Sequence, residues 1–355
     1  MKQKLSVAPT LKNYDKKNLP KDILAGIIIM AVSIPISMGY AQISGLPAVY
    51  GLYGSVFPII LFALFSTSPQ FIFGVDAAPA ALVGAAVLGM GIEAGSKEAM
   101  TVVPVFTFFV ALWLLAFYFM NAGKLVNYIS APVMGGFITG ICTTIILMQA
   151  PKLMGSAAGT GELFELSEHI WEALHHINAA ALVMGIVALA ILVVSKRLVP
   201  KFPMAVVLMV TGALFTYFGP VKEWGVPTLS AVEPGMPRWY IPDFEAVFSV
   251  QKASEVIVLS LSVAVVIMAE TLLAENNFAQ KNGYRIDDNT ELLAFSIGNM
   301  AAAFTGCCPI NGSVSRTTMS EQYGGRTQLT GIFAGVVMIV ILVCGTGFIG
   351  YLPVP

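Results

Sequence analysis

The sequence predicts an all-α, polytopic membrane protein built as an inverted repeat. Three observations carry that reading. Hydrophobic residues make up 57% of the 355 and charged residues only 11%, where a soluble domain carries roughly 25% charged residues, and the mean hydropathy is +0.80. Apolar runs recur about every 25–35 residues, most of them with roughly the 17–25 residues that cross a hydrocarbon layer. Two runs, seven spans apart, are interrupted by Gly and Pro, the pattern of two repeats whose broken helices meet at the bilayer midplane.

The basic segment 1–21 leads into an apolar run longer than a signal-peptide core and without a small-residue cleavage site, so it is read as a retained first span, 22–44. The following spans are 47–66, 71–90, 101–120, 130–150, 179–195, 203–218, 254–276, 291–306, 311–320 and 328–350. The third opens with Phe73-Gly74-Val75-Asp76-Ala77-Ala78-Pro79, and the short tenth follows Cys308-Pro309-Ile310-Asn311-Gly312. Segment 151–178 holds Glu162, Glu165, Glu168 and Glu172 beside His169, His175 and His176; it reads as an amphipathic helix at the interface, and without HExxH spacing no metal is expected there. Segment 219–252, with Trp224, Trp239, Tyr240 and several prolines, reads as an irregular loop anchored by aromatics at headgroup level. With the N-terminus in the cytoplasm, thirteen Lys and Arg fall inside and five (Lys97, Lys152, Lys222, Arg238 and Lys252) outside, which sets the orientation.

Composition also excludes functions. The net charge is −1 with no basic tail, so nucleic acid is not an expected partner. Cys142, Cys307, Cys308 and Cys344 form no CxxC pair, which argues against a zinc site or a disulfide framework. Gly89, Gly91 and Gly95 do not match a dinucleotide fingerprint, and no nucleophile–base pair appears; neither a cofactor nor enzyme activity is expected.

The residues most costly to bury point to a site. Asp76 in the third span and Glu270 in the eighth are the acids placed deep, the other 18 lying at span ends or in loops, and Arg316 is the one basic residue at comparable depth. An ionised side chain at mid-bilayer costs about 2.5–3.5 kcal/mol on insertion scales and normally faces a polar cavity. A buried ion-pair network that only fixes helix register is the competing reading. Each broken span exposes backbone amides at a half-helix N-terminus, where the helix dipole favours an anion. With Arg316, two such ends predict an anionic ligand, and Glu270 is placed to titrate rather than to bind it.

The motifs resemble those of the SulP (sulfate permease) anion transporters, a family that includes prestin. Ile34-Pro35-Ile36-Ser37-Met38-Gly39-Tyr40-Ala41, Gly45-Leu46-Pro47 and Gly51-Leu52-Tyr53-Gly54-Ser55 resemble its first-span signature. Gly74-Val75-Asp76-Ala77-Ala78 resembles its third-span motif and Ala269-Glu270-Thr271-Leu272-Leu273-Ala274 its eighth. Asn289-Thr290-Glu291-Leu292-Leu293-Ala294 with Gly298-Asn299 fits its ninth span. Gly312-Ser313-Val314-Ser315-Arg316-Thr317 and Gly324-Gly325-Arg326-Thr327-Gln328-Leu329 fit its tenth and the loop after it.

The resemblance implies fourteen segments in two inverted sevens, with about 11 present: a core over 22–120 and 254–350, and a gate over 130–218. It implies an anion held between the N-termini of the third and tenth half-helices, near Tyr40, Ala77, Ala78, Gly312, Ser313, Val314, Ser315 and Arg316. Glu270 and Asp76 take the ion-coupling role, with a proton or Na+ as the coupling ion. Departures exist. Ile36 and Ser37 replace the family's frequent Gln and Gly, removing a polar contact to substrate, and Pro79 lies beyond the usual Gly-Pro position, which puts the start of the third half-helix in question. The chain ends at Leu352-Pro353-Val354-Pro355, where the twelfth segment would begin, without the family's STAS domain. These residues are therefore expected to be part of a longer protein and not to transport alone.

The expectation is a multi-pass plasma- or inner-membrane protein, homodimeric in lipid, acting as a proton-coupled secondary transporter of sulfate-, bicarbonate- or dicarboxylate-class anions. A nucleobase–cation symporter of the same architecture is one alternative, although it would present a carboxylate where this chain has Ser313, Ser315 and Arg316. An uncoupled anion channel, exchanger or prestin-like motor is the other.

Overall fold

Helices run in chain order α1 (Leu19–Ile43), α2 (Val49–Tyr53), α3 (Phe57–Phe65), α4 (Ala77–Gly89), α5 (Lys97–Phe119), α6 (Ala131–Leu153), α7 (Leu163–His175), α8 (Ala179–Leu198), α9 (Met204–Phe218), α10 (Phe244–Ser249), α11 (Ala253–Asn282), α12 (Asp288–Phe304), α13 (Val314–Gln322) and α14 (Leu329–Cys344). Two two-residue strands, β1 (Phe73–Gly74) and β2 (Asn311–Gly312), lie just ahead of α4 and α13. The structure is a computed structural model that describes residues 7–12, 14–128, 131–159, 163–199, 202–249 and 252–354. Lys2, Lys4, Glu162, Lys201, Pro355 and the first residue of the expected fifth span lie outside the described residues. Among the described residues, Lys16–Ile43, Lys97–Phe119, Ala179–Leu198 and Ala253–Asn282 are long and apolar enough to cross a membrane.

Local chemistry sets the helix ends. The Ser96 hydroxyl accepts the Ala99 N–H at 3.1 Å and starts α5 four residues before the expected 101. The Asp287 carboxylate accepts the Thr290 N–H at 2.8 Å and starts α12, as Asn178 does for α8 through the Ala181 N–H at 3.0 Å. α11 runs six residues past the expected 276 and stops at Gly283, whose φ of +73° suits glycine. The expected second span, 47–66, is divided into α2 and α3, because Pro58 in the first turn of α3 has no N–H with which to continue the preceding helix. The loop expected over 219–252 contains α10: Val247 is buried, and the Phe244 ring packs edge-on to Phe108 of α5 with centroids 4.9 Å apart.

The chain forms two compact units. The first comprises Met1–Gly135 and Pro237–Ile339. In it α12 lies against α3 and α5, and α11 against α5. Phe73 of β1 is stacked between Phe62 of α3 and Phe295 of α12, with centroids 4.5 and 5.3 Å away and planes within 15° and 6°. Such aromatic pairs add roughly 0.5–1.5 kcal/mol each beyond area burial.

Three acids counted at span ends are fully buried in this unit: Asp22, Glu275 and Glu291. This corrects the expectation that only Asp76 and Glu270 carry the burial problem, since a helix end is exposed only if no other element covers it. Asp22 accepts the Arg326 N–H at 2.8 Å, the Thr327 hydroxyl at 2.7 Å and the Tyr14 hydroxyl at 3.1 Å, which ties the start of α1 to the turn before α14. Glu291 accepts the Ser66 hydroxyl at 2.9 Å, the Thr67 N–H at 2.5 Å and the Ser68 N–H at 3.1 Å, and also the Thr67 hydroxyl. It thereby fixes the turn after α3 that feeds β1.

The second unit comprises Gly136–Met236 and Val340–Pro355. α7 is the amphipathic helix expected within 151–178: Leu166 and Ala173 are buried while Phe164 and Trp171 are exposed. The Asn178 amide donates to the Trp224 carbonyl at 2.9 Å. Thr228 bridges to Pro353 in antiparallel fashion, and the Leu229 N–H donates to the Leu352 carbonyl at 2.9 Å.

Removing the Glu291 carboxylate would strand the Ser66, Thr67 and Ser68 donors in a dry interior. Glu291→Ala is expected to destabilise the first unit by about 3 kcal/mol or more. A thermal-unfolding midpoint equal to that of the parent protein in the same detergent would contradict this.

Candidate functional site

The two interruptions meet in the first unit. β1 and β2 pair antiparallel, Phe73 opposite Gly312 and Gly74 opposite Asn311, and the Ser313 N–H extends the ladder by donating to the Ile72 carbonyl at 2.9 Å. Backbone that leaves helical geometry inside a membrane protein needs partners other than lipid, and here side chains supply them. The Asn299 amide donates to the Ile310 carbonyl at 3.0 Å while its oxygen accepts the Ile310 N–H at 2.9 Å, so one buried side chain acts as a strand for that residue. The Thr271 hydroxyl oxygen accepts the Gly312 N–H at 3.1 Å. The Thr317 hydroxyl oxygen accepts the Ile72 N–H at 3.0 Å and its proton goes to the Ser313 carbonyl at 2.7 Å. The Gln328 amide donates to the Ser68 and Phe71 carbonyls at 2.6 and 2.9 Å.

The half-helices start where this ladder ends, and their N-termini differ. α4 begins at Ala77 with Asp76 as its N-cap, and the carboxylate accepts the Ala77 N–H at 2.8 Å. Pro79 lies within the first turn, where no intrahelical acceptor is needed, so it does not delay the helix. α13 begins at Val314, and the Ser313 side chain makes no capping bond; its hydroxyl lies 3.2 Å from that of Ser315. One helix end thus already carries an anionic group of the protein, and the other is left without a side-chain cap.

Arg316 lies across β1. It is 1% exposed, donates from Nη2 to the Val75 carbonyl, and stands 3.7 Å from an Asp76 carboxylate oxygen. Its Nε and Nη1 have no partner. Gly74 makes room for it: a Cβ there would fall 2.8 Å from Nη1. Glu270 accepts the Asn311 amide at 2.8 Å. The charge of Asp76 acts on Glu270, and those of Asp76 and Arg316 act on the Tyr40 hydroxyl. Asp76, Arg316, Glu270 and Tyr40 therefore form one electrostatic cluster, although they come from four elements.

Of the remaining residues singled out in the sequence, Ala77, Ala78 and Ser313 are buried at the two helix starts, Gly312 is buried in β2, and Val314 and Ser315 are exposed on the first turn of α13. Sequence reasoning missed Asn311, which joins Glu270 to β2, and the supporting set Thr271, Asn299, Thr317 and Gln328. Each lies within a motif quoted from the sequence and is a polar residue within or beside an apolar span, but no site role was drawn from it.

A family comparison bears directly on this arrangement: residues 19–355 match the model of the sulfate permease family. The chain belongs to that family. A probable sulfate transporter of Mycobacterium tuberculosis is 26% identical over 343 residues, which is 97% of this chain and 60% of that relative's length. The chain thus spans less than two thirds of that relative's length. Two solved structures share the fold. SLC26A9 superposes with a TM-score of 0.84 at 23% identity over 97% of this chain and 57% of its own. The transmembrane domain of the cyanobacterial bicarbonate transporter BicA superposes with a TM-score of 0.79 at 20% identity over 96% of this chain and 86% of its own. The chain is accordingly a multi-pass membrane protein of the inverted-repeat, core-and-gate fold.

The β1–β2 pairing tolerates no side chain at Gly312, because a Cβ there would overlap Phe71 and the Thr271 methyl. Gly312→Ala is expected to cost about 1–3 kcal/mol from overpacking alone. An unfolding midpoint that does not move would show that the two strands are not held as described.

Proposed function

We propose that this protein is a secondary transporter of small anions, of the sulfate, bicarbonate or dicarboxylate class, coupled to protons through Glu270. The observation that carries the reading is Arg316: a fully buried guanidinium with two unpartnered nitrogens, beside a helix N-terminus that no side chain caps. A buried cation with free donors, flanked by backbone N–H groups, is suited to an anion by both charge and hydrogen bonding. Asp76 tempers the field. Its carboxylate offsets part of the Arg316 charge and fills the α4 end, so the anion is proposed to sit toward Gly312–Ser315, with Ala77, Ala78 and Tyr40 as the facing wall. The first unit carries every residue of this cluster and is proposed as the substrate-bearing core; the second is proposed as the gate. A cytoplasmic N-terminus follows from the distribution of Lys and Arg.

The names of similar proteins support the substrate class: one is called a probable sulfate transporter and another a bicarbonate transporter. Membership of the sulfate permease family supports the anion reading over the nucleobase one. Coupling rests on Glu270, the partly buried acid that bonds to β2 through Asn311 and feels the Asp76 charge. An arriving anion would add negative charge to this cluster, and a proton on Glu270 would compensate it.

Two variants test the assignment in lipid nanodiscs. Arg316→Gln should weaken sulfate or bicarbonate binding by about tenfold or more, equal to about 1.4 kcal/mol, with the unfolding midpoint preserved; unchanged affinity by calorimetry would sink the anion site. Glu270→Gln should keep anion binding but abolish the proton uptake that accompanies it in weakly buffered solution. Proton uptake that persists in that variant would move the coupling role to another group, and none in the parent protein would favour an uncoupled channel or exchanger.

A further inference from the structure

Glu275 is the one fully buried acid whose burial the fold leaves unanswered among Asp22, Glu275 and Glu291. It lies on α11 at 0% exposure, and neither carboxyl oxygen has a hydrogen-bond partner. The ionisable groups that act on it are themselves acids. Glu291 and Asp288 of α12 act on it electrostatically, and it in turn acts on Tyr284 of the α11–α12 turn. Glu291 has nothing to lend, because its oxygens are taken by the Ser66, Thr67 and Ser68 donors. Asp288 accepts the Asn276 amide at 2.8 Å.

No cation offsets this group among the described residues. α4 and β2, which pack on α11, carry no ionisable side chain. α5 carries Lys97 and Glu98, the latter paired with Lys252 at the start of α11, and Tyr118 near its other end. The 3-10 segment Ala122–Tyr128 contributes Lys124, which is exposed. Lys281, on the same helix as Glu275, pairs with Glu321. None of these bonds to Glu275. A metal ion fits poorly, since no group of three His, Cys, Asp or Glu among the described residues is placed to hold one.

An isolated carboxylate in such a place neutralises itself rather than bear the cost of burial. We propose that Glu275 is a second proton-binding site, distinct from Glu270, that holds a proton while α11 and α12 are packed together. The two acids are five residues apart on one helix, about 7.5 Å along its axis and roughly 140° around it. Glu270 turns to Asn311 and β2, whereas Glu275 turns to α12. The inference uses the burial, bonding and charged surroundings of Glu275, so it holds whether or not the chain carries an anion.

Infrared spectroscopy of the chain in lipid nanodiscs tests it, on a Glu270→Gln background so that the other acid contributes nothing. At neutral pH that background should show a protonated-carboxyl C=O band that Glu270→Gln/Glu275→Gln lacks. Identical spectra would overturn the proposal. Glutamine is the neutral isostere, so Glu275→Gln should keep the unfolding midpoint; a drop of several degrees would show that a charged carboxylate was needed, and would equally overturn it. A band that disappears when Na+ replaces a large organic cation would assign the site to a metal ion instead.

Discussion

The structure depends on satisfying the backbone of two chain segments that stop being helical in a protein made to sit in lipid. At 72–75 and 310–312 the peptide groups have no intrahelical partners, and hydrocarbon offers none. The antiparallel pairing of β1 with β2 meets part of the demand. Side chains meet more of it: Thr271 bonds to Gly312, Asn299 to Ile310, Thr317 to Ile72 and Ser313, and Arg316 to Val75, while Gln328 bonds to the Ser68 and Phe71 carbonyls just ahead of β1. A polar side chain inside an apolar span is thus a structural element here, as necessary as the apolar residues around it.

That scaffold fixes where charge can stand. Phe73 is clamped between Phe62 and Phe295, which holds β1 against α3 and α12. With β1 in place, the absence of a side chain at Gly74 opens the groove that Arg316 crosses to reach Val75 and Asp76. A guanidinium buried this deeply would be costly without such partners. Its remaining donors are the polar capacity that the fold leaves unspent, and they lie beside the helix end that no side chain caps.

The buried acids show two ways of living with a carboxyl in a dry interior. Asp22 and Glu291 are surrounded by hydroxyl and amide donors and work as staples between segments distant in sequence. Glu275 has no donors at all. All three are carboxylic acids near a span end; what differs is whether a loop rich in Ser, Thr and free N–H groups has been folded over the end of the helix.

The sequence alone determined most of the spans, the two interruptions and Arg316 as the deep cation, but not the buried acids Asp22, Glu275 and Glu291. Hydropathy, Gly and Pro act locally, and a basic residue within an expected span stands out without any partner being known. Only the tertiary structure decided that the interruptions pair with each other, that Asn299 completes the bonding of Ile310, and that Glu291 holds a turn 223–225 residues earlier in the chain. It also decided that Asp76 is spent on the α4 N-terminus and on Arg316, leaving the α13 end without an anionic cap. Such facts concern which donor meets which acceptor. Hydrogen bonds are short-ranged and directional, so they are set by the packing of remote segments, which composition and spacing do not encode.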